Sequence, residues 1–322
     1  MTQLENLKDD ILNGQRRALA KAITLVESSR ADHQADAQEL LALLLPHTGK
    51  SIRLGFTGTP GVGKSTFIEA FGLQLTALGH RVAVLAIDPS STRTGGSILG
   101  DKTRMELLSK DKNAFIRPTP SGGTLGGVAR RTREAMLLCE AAGYDVLLIE
   151  TVGVGQSEIA VADMVDMFLL MLSPGGGDDL QGIKRGIMEL ADLVIINKAD
   201  GDFKKAAKRA AGDYKSALHL MRPKHAGWTA DVLLASALKM RGLTEIWEKI
   251  QDFEKAMKDS GQLEDMRAQQ AKAWMWSEIH DQLADAFKAS HSSKVKAMEQ
   301  QVLAGKIPPT AAARRLLKDF LN

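Results

Sequence analysis

The stretch GFTGTPGVGKST, residues 55–66, decides the fold of this chain. From Gly58 to Ser65 it has the spacing G-x-x-x-x-G-K-[ST], and it lies between the apolar segment RLGFTG (53–58) and a segment of helical periodicity that begins at Thr66. Glycines let a loop turn its N–H groups inward around phosphate oxygens, and the N-terminus of the following helix adds partial positive charge. The stretch therefore predicts a strand, a phosphate-binding loop (P-loop) and a helix, in that order.

Two P-loop side chains carry the chemistry that a polyphosphate requires. We expect Lys64 to neutralise the β- and γ-phosphates of a bound nucleotide, and the hydroxyl of Ser65 to take one coordination position on Mg²⁺. The predicted phosphate-binding residues are Gly58, Pro60, Gly61, Val62, Gly63, Lys64, Ser65 and Thr66. A glycine-rich turn with an exposed lysine is the alternative, and the predicted strand and helix on either side argue against it.

Short apolar segments alternate with amphipathic segments from Arg53 to about Ile250. This alternation predicts an α/β fold of the P-loop type, in which helices flank a mostly parallel sheet of about seven strands. The predicted strands are RLGFTG (53–58), RVAVLAID (81–88), AFIRPT (114–119), DVLLIETVG (145–153), MFLLMLS (167–173), DLVIINKAD (192–200) and DVLLASA (231–237).

Segments of purely helical pattern precede and follow this alternation. We expect a helical extension over 1–50, a nucleotide-binding domain over 51–260 and a helical arm over 261–322. The arm contains Trp and Met side chains at 274–276, which predict a helix-packing or dimer surface rather than a cofactor contact.

Composition excludes several classes of protein. The chain has 322 residues with 42 Lys and Arg against 39 Asp and Glu, a net charge of +3, which by itself indicates no nucleic-acid partner. Its single cysteine, Cys139, cannot form an internal disulfide and fits a reducing compartment. No apolar run approaches about 18 residues, and the first residues lack a secretory pattern. We therefore expect a cytoplasmic protein with no membrane partner and no nucleic-acid partner.

The segment NKAD, Asn197 to Asp200, closes a predicted strand and favours guanine over adenine. At the carboxyl edge of a parallel sheet, the carboxylate of Asp200 can accept hydrogen bonds from N1–H and the 2-amino group of guanine, an arrangement that adenine does not offer. We expect Asn197 to approach the O6 and N7 edge of the base, and the stem of Lys198 to cover the face of the ring. A solvated charge cluster at a strand end is the alternative.

A second strand end supports the same base. Ser236, Ala237 and Leu238 follow the last predicted strand, in the order expected for a backbone contact to guanine. GTP and GDP, with Mg²⁺, are therefore the expected ligands.

Three acidic residues are candidate ligands of Mg²⁺ or partners of the attacking water. Asp88 ends the strand RVAVLAID, Asp101 lies in the loop GGSILGDKTRM, and Glu150 opens ETVG, where small GTPases have D-x-x-G. A helix cap is the alternative for Asp88, and a solvated loop position is the alternative for Asp101. Gly153, the last residue of ETVG, offers an N–H group that could sense the γ-phosphate.

Two glycine-rich loops are candidates for nucleotide-dependent switches. SPGGGDDLQGIKRG (173–186) contains Lys184, which would reach the phosphate site or a partner, and SGGTLGGVARRT (121–132) leads into a basic helix start. A flexible turn with capping acids and a solvated basic face are the alternatives. Gln156 is a further candidate, for positioning the attacking water, although its separation from Glu150 in sequence leaves its direction open.

The segments that carry these predictions resemble, in their order, the MeaB/ArgK family. They are GTPGVGKST, AIDPSS, GDKTRM, ETVGVGQSE, PGGGDDLQGIKRGIMELAD, NKAD and SAL. Members of that family are G-protein chaperones of adenosylcobalamin-dependent acyl-CoA mutases, methylmalonyl-CoA mutase above all. The resemblance spans 1–322 and implies a GTPase with a SIMIBI-class G domain. Such a protein would hydrolyse GTP to GDP and phosphate, gate the delivery of adenosylcobalamin to a mutase and protect the mutase.

The resemblance also implies roles for individual residues. The C-terminal helices would form the arm of a homodimer, and 173–186 would be a switch whose Lys184 links the nucleotide state to the partner. The implied catalytic residues are Lys64, Asp101, Glu150 and Lys184. The implied Mg²⁺ ligands are Ser65, Asp88, Asp101 and Glu150.

Three other functions share parts of this pattern. A nickel-delivery GTPase for hydrogenase or urease has this fold class, but seven scattered His and one Cys provide no ligand set at metal spacing. An ATPase that energises amino-acid import conflicts with NKAD. A scaffold that reshapes a partner through guanine-nucleotide binding alone stays open, and release of phosphate distinguishes it from a GTPase.

Overall fold

The computed structural model describes residues 2–88, 105–120, 125–151, 157–174 and 185–321. The chain forms two compact units, Met1–Ala268 and Gln269–Asn322. The first unit contains the N-terminal helices together with the sheet, and the second contains most of a long helix and the final helix. The predicted boundaries after residues 50 and 260 separate the chain differently, and that division stays a prediction.

A seven-stranded sheet forms the centre of the first unit, and every neighbouring pair of its strands is parallel. The strands are β1 (Ile52–Gly58), β2 (Val82–Asp88), β3 (Ala114–Pro120), β4 (Val146–Thr151), β5 (Met167–Leu172), β6 (Leu193–Ile196) and β7 (Asp231–Leu234). Their order across the sheet is β3-β2-β4-β1-β5-β6-β7. Each strand coincides with a predicted apolar segment, so the predicted parallel α/β fold is confirmed.

Helices precede, connect and follow the strands. They are α1 (Gln3–Leu12), α2 (Arg16–Glu27), α3 (Ala31–Leu44), α4 (Lys64–Ala77), α5 (Glu106–Lys110), α6 (Leu125–Ala141), α7 (Ser157–Ala162), α8 (Arg185–Leu190), α9 (Lys204–His219), α10 (Leu243–Asp259), α11 (Gln262–Leu303) and α12 (Pro309–Leu321). Short 3₁₀ turns lie at Leu45–His47 and Gly201–Phe203. Helix α12 begins at its proline, which is favoured at the first helical position because its ring sets φ and it lacks an N–H.

Burial explains why the strand segments are continuously apolar. Strands β1, β4, β5 and β6 are buried at every residue, as is typical of parallel strands covered by helices on both faces. The N-terminal helices have a different pattern, because only one face of each is buried. Helix α2 buries Leu19, Ala22, Ile23 and Val26, which recur at helical spacing, and it packs against α3 and α6.

Aromatic side chains attach α4 to the sheet. Phe56 of β1 lies 5.8 Å from Phe67 of α4 between ring centroids, and Phe67 lies 5.6 Å from Phe71, one helical turn further on. Phe71 in turn contacts Trp247 of α10 at 6.2 Å. All three phenylalanines are fully buried. The start of α4, where the P-loop ends, is thereby fixed to the central strand.

Buried charges join several segments at the amino edge of the sheet. The guanidinium of Arg53 donates to Glu140 of α6 at 2.8 and 3.1 Å. Glu140 also accepts hydrogen bonds from the hydroxyl of Ser51 at 2.5 Å and from the N–H of Gly49 at 2.9 Å. Burial alone would raise the pKa of Glu140, but the hydrogen bonds and the charge of Arg53 hold it below its ordinary value.

Arg267, in the second turn of α11, binds the same edge. Its guanidinium donates to the two carboxylate oxygens of Asp166 at 2.8 and 2.6 Å, and to the carbonyl oxygens of Gly49 and Ser51, both at 2.6 Å. Asp166 is 1% exposed and also accepts from the N–H of Arg53 at 2.8 Å. These contacts fix the beginning of α11 to the first unit.

In the second unit, aromatic contacts join the two helices. Phe320 of α12 lies edge-on to Phe287 and His291 of α11, with centroid distances of 5.3 and 5.6 Å. Met275 and Trp276 of α11 are about half exposed. Among the described residues, no helix combines the length and the apolar character needed to cross a membrane.

The variant Glu140→Gln should destabilise the fold, because it leaves the buried guanidinium of Arg53 without a counter-charge. We expect the free energy of unfolding at pH 7, measured by urea titration, to fall by about 3 kcal/mol or more. Since the fold lowers the pKa of Glu140, its contribution is present above its ordinary pKa of 4.5 and is lost as the pH falls through the lower folded value. The difference in the free energy of unfolding between Glu140→Gln and the unmodified protein should therefore become smaller at acidic pH.

Glu39→Gln is the matched control, because Glu39 is exposed on α3. It should unfold like the unmodified protein. Equal stability of Glu140→Gln and the unmodified protein at pH 7 would contradict a stabilising role for this buried pair.

Candidate nucleotide-binding site

The predicted motifs meet at the carboxyl edge of the sheet. Because neighbouring strands are parallel, their carboxyl ends lie at one edge, where ligands bind in sheets of this kind. The segments at this edge are the P-loop after β1, Asp88 at the end of β2, Glu150 near the end of β4, Asn197 directly after β6 and Ser236 shortly after β7. Strand β1, which leads into the P-loop, lies in the middle of the sheet.

Two glycines of the P-loop are required by its geometry. Gly58 has a φ of +152°, and a Cβ atom there would lie 2.3 Å from the carbonyl oxygen of Met171 on β5. Gly63 has a φ of +91° and caps α4, and a Cβ atom there would lie 3.0 Å from Nδ2 of Asn197. Residues with side chains are strained in both conformations. The P-loop is therefore packed tightly between β5 and the NKAD segment.

Lys64 is buried at the first position of α4. Its Nζ donates to the carbonyl oxygen of Gly58 at 2.8 Å, which holds the ammonium group over the P-loop backbone. Burial lowers the pKa of Lys64, and the nearby carboxylates of Glu150 and Glu158 oppose that effect. The arrangement places a poorly solvated positive charge at the loop where phosphates are expected.

Ser65 and Glu150 are in direct contact. The hydroxyl of Ser65 donates to Oε1 of Glu150 at 2.8 Å, and Glu150 is 8% exposed. A hydroxyl and a carboxylate at one point supply the hard oxygen donors that Mg²⁺ prefers, so these two residues fit the predicted metal. Asp88 lies at the end of β2, the neighbour of β4, and its side chain is outside the described part of the structure.

Asn197 connects the P-loop to the segment after β7. Its Nδ2 donates to the carbonyl oxygen of Val62 at 3.0 Å, and its Oδ1 accepts from the N–H of Ala237 at 3.2 Å. Asn197 is 2% exposed. The sequence predicted contact with the O6 and N7 edge of guanine, and it missed this bridge because both partners are distant in sequence. A buried amide with partners on two loops holds those loops in register.

Lys198 and Asp200 also bind neighbouring motifs. Nζ of Lys198 donates to the carbonyl oxygen of Gly61 at 2.6 Å, and Lys198 has a left-handed backbone with a φ of +58°. Oδ1 of Asp200 accepts from the hydroxyl of Ser236 at 2.7 Å. NKAD is thereby tied to the P-loop on one side and to the Ser236 segment on the other.

The segment after β7 forms a short turn. Ser236 and Arg241 exchange backbone hydrogen bonds at 3.0 and 3.1 Å. Ala237 is buried, whereas Leu238 is 76% exposed. The backbone of this turn therefore lies beside Asn197 and Asp200, where the sequence predicted a contact to the base.

Several predicted residues lie outside the described part of the structure. They are Asp101, Gly153 and Lys184, together with Gln156. The described residues bring together the P-loop, Glu150, NKAD and the Ser236 turn, and the predicted roles of all these residues in binding and catalysis stay predictions.

Comparison with known proteins identifies the family. The family model described as "Methylmalonyl Co-A mutase-associated GTPase MeaB" matches residues 19–292. The chain belongs to this family. It is therefore a P-loop GTPase, and the resemblance found in its sequence is confirmed.

The relatives of this MeaB-family chain support the assignment. A protein of Caulobacter vibrioides named putative GTPase is 58% identical over 319 residues, which cover 98% of each chain. The GTPase ArgK of Escherichia coli is 55% identical over 84% of this chain and 82% of its own length. The mouse protein named methylmalonic aciduria type A homolog, mitochondrial, is 51% identical over 98% of this chain and 79% of its own length.

A solved structure supports the fold over the whole chain. The crystal structure of an LAO/AO transport system kinase has a TM-score of 0.80 to this chain and is 41% identical to it. The match covers 100% of this chain and 99% of the kinase chain. The helices and strands described above therefore recur in an experimental structure.

The variant Asn197→Ala should weaken nucleotide binding without direct loss of a phosphate contact. It leaves the carbonyl oxygen of Val62 and the N–H of Ala237 buried and unpaired, and each such group costs about 1–3 kcal/mol. We expect the affinity for Mg·GDP, measured by calorimetry, to fall about 10- to 100-fold, because the loops lose their register and the predicted contact of Asn197 with guanine is also removed. Asn113→Ala, before β3 at the opposite edge, is the control and should bind normally. Unchanged affinity in Asn197→Ala would contradict the bridging role.

Proposed function

We propose that this MeaB-family GTPase uses a cycle of GTP binding and hydrolysis to gate the delivery of adenosylcobalamin to methylmalonyl-CoA mutase or a close relative, and to protect that mutase. The observation that carries the nucleotide part is the bridge at Asn197, which joins the P-loop to the turn after β7. A phosphate site and a base site joined in this way fit one nucleotide. The description of the family supports the mutase part.

Guanine is the base that the proposed site fits best. Oδ1 of Asp200 accepts from Ser236, and within the described residues Oδ2 of Asp200 has no hydrogen-bond donor. A carboxylate has about four acceptor positions, so this group retains capacity for the N1–H and 2-amino donors of guanine. Adenine presents neither of these two donors. The hydrogen bond from Lys198 to Gly61 of the P-loop supports the proposal that the stem of this lysine covers the ring.

Mg²⁺ fits the oxygen donors at Ser65 and Glu150. Asp88, at the end of β2, and Asp101 are further proposed ligands. When bound, the ion would neutralise charge on the β- and γ-phosphate oxygens. The contact between Ser65 and Glu150 supports this assignment, because it places the hydroxyl of the P-loop beside a carboxylate of β4.

Positioning and electrostatic stabilisation supply most of the catalysis in phosphoryl transfer. Lys64 would stabilise the charge that develops on the phosphate oxygens, from a buried position where the charge is weakly screened. Asp101, Glu150 and Lys184 are the other proposed catalytic residues, with Gly153 as the sensor of the γ-phosphate. The switch segments contain no obvious arginine finger, so we propose slow intrinsic turnover that the partner accelerates.

The proposed assembly is a homodimer that acts on a mutase in the cytoplasm. Met275 and Trp276 support the dimer, since α11 leaves these large apolar side chains half exposed. The mouse relative's name refers to methylmalonic aciduria, which agrees with a mutase partner for that protein. We propose no nucleic-acid or membrane partner.

A transport-linked nucleotidase is a second candidate, because the solved relative is named a transport system kinase. That function would require ATP. The pairing of Asp200 with Ser236 beside the P-loop supports guanine instead, and relative affinity for GTP and ATP distinguishes the two functions directly.

The variant Asp200→Asn should change the choice of purine. The asparagine keeps an oxygen that can accept from Ser236, but it places an N–H donor where guanine also presents donors. We expect affinity for Mg·GTP, measured by calorimetry, to fall at least about 100-fold, and affinity for xanthosine triphosphate to rise, because xanthine has an acceptor in place of the 2-amino group. Asp202→Asn, two residues further on and exposed, is the control. Unaltered purine choice in Asp200→Asn would refute guanine recognition by this acid.

Single-turnover hydrolysis of GTP tests the partnership. With the acyl-CoA mutase of the same organism present, we expect the rate to rise at least about tenfold, because the partner completes a site whose catalysis depends on positioning. Lys64→Ala should show no such rise. Equal rates with and without the mutase would contradict acceleration by this partner.

A further inference from the structure

Helix α9 and the residues after it carry a strong local excess of positive charge. The segment 204–224 contains seven Lys or Arg and one Asp, a net charge of +6, whereas the whole chain has +3. The remaining chain is therefore slightly acidic. Such a contrast marks a local electrostatic feature rather than a general property of the protein.

The charges of α9 lie on its outer face. Lys204, Lys205, Lys208 and Arg209 are all exposed, whereas the opposite face of the helix packs into the core. Within the described ranges, none of these four side chains forms an ion pair. Four unpaired cations within two helical turns repel one another, so the fold itself gains nothing from this arrangement.

Apolar groups bracket this basic face. Phe203, directly before α9, is 53% exposed, and Leu220, directly after it, is 87% exposed. These two residues flank the 16-residue helix α9, so they lie about 26 Å apart along its axis. We call the outer side chains from Phe203 to Leu220 the α9 surface. Cations between two exposed apolar anchors are typical of a surface that binds another protein.

A cavity of about 660 Å³ opens at one end of the α9 surface. It lies between the end of α9 and the start of β7, and Leu220, His219 and Lys249 are among its lining residues. Asp231, which also lines the cavity, forms ion pairs with Lys215 and Lys249. The distances from its carboxylate oxygens to the two Nζ atoms are 3.1 and 3.3 Å. A cavity of this volume can accept side chains of a partner, and its lining keeps a net positive charge, because two lysines face the single carboxylate of Asp231.

A protein fits this surface better than a membrane does. A helix that binds in a membrane interface inserts its apolar face into lipid, but the apolar face of α9, with Ala207, Tyr214 and Leu218, is buried in the core. Nucleic acid fits less well too, because the exposed side chains at the two ends of the surface, Phe203 and Leu220, are apolar and bind no phosphate.

The α9 surface begins next to the proposed guanine site. Asp200 precedes the 3₁₀ turn Gly201–Phe203, and α9 follows that turn without a break. A partner bound along α9 would therefore contact the chain three or four residues from the acid that is proposed to select guanine.

We propose that the α9 surface binds an acidic face of the mutase partner. This inference rests on the proposed function, and it adds the surface and the chemistry of the contact. Charge complementarity of this kind speeds association and makes binding sensitive to salt. Phe203 and Leu220 supply the apolar anchors, and the cavity beside β7 receives an acidic side chain of the mutase.

A pair of double charge reversals tests the proposal. Lys204→Glu/Lys208→Glu changes two exposed, unpaired cations four residues apart on α9. Arg17→Glu/Lys21→Glu makes the same change at the same spacing on α2, where both side chains are also exposed. Mutase affinity is measured by calorimetry with the full-length proteins and a non-hydrolysable GTP analogue. We expect the α9 variant to bind the mutase at least about tenfold more weakly at low salt, with a smaller difference at high salt, and the α2 variant to bind normally.

Each outcome is decisive. Both double variants must retain GTP affinity, and Leu220→Ser, which changes no charge, should also weaken mutase binding.

If the unmodified protein binds no mutase in any nucleotide state, the proposed function fails. If it binds the mutase and both double variants bind equally well, the α9 surface is not the contact, although the proposed function stands. If the α9 variant loses binding to anionic vesicles or to RNA but keeps its mutase affinity, the surface serves lipid or nucleic acid and the proposal is overturned.

Discussion

The amide of Asn197 is the contact on which the nucleotide site depends. One end of this amide binds Val62 in the P-loop and the other binds Ala237 after β7, so a single side chain relates segments that lie 135 and 40 residues away from it. Water cannot replace either hydrogen bond, because the amide is buried. Two segments that share one buried group are held in a fixed relation to each other. Under the proposed function, a nucleotide that binds one of them would therefore affect the other.

The two edges of the sheet are built differently. At the amino edge, the buried carboxylates of Glu140 and Asp166 each accept two hydrogen bonds from an arginine. At the carboxyl edge, the P-loop contains the left-handed Gly63 and the segment after β6 contains the left-handed Lys198. A well-anchored edge lets the opposite edge carry backbone conformations that would otherwise be costly. Stability and ligand binding are thus assigned to opposite ends of the same strands.

Much of the fold could be predicted from the sequence because strands covered on both faces are continuously apolar, as in VLLIE before Thr151. The P-loop and NKAD were recognisable because phosphate and guanine binding demand particular residues at short spacing. The bridge at Asn197 and the pairing of Arg53 with Glu140 were not predictable, because their partners are brought close only by the fold. The net charge of the whole chain, +3, does not reveal the excess of positive charge in α9. Only the folded helix brings these charges to one exposed face.

Two positions before β1, Gly49 and Ser51, each bind side chains from two helices. The N–H of Gly49 and the hydroxyl of Ser51 donate to Glu140, and the carbonyl oxygens of both residues accept from Arg267. Four polar groups of this short linker must therefore bind side chains of two helices, α6 and α11, at the same time. An insertion or deletion between Leu44 and Ile52 would move all four out of alignment. Across evolution, gaps between related chains should avoid this linker, even though it is a loop.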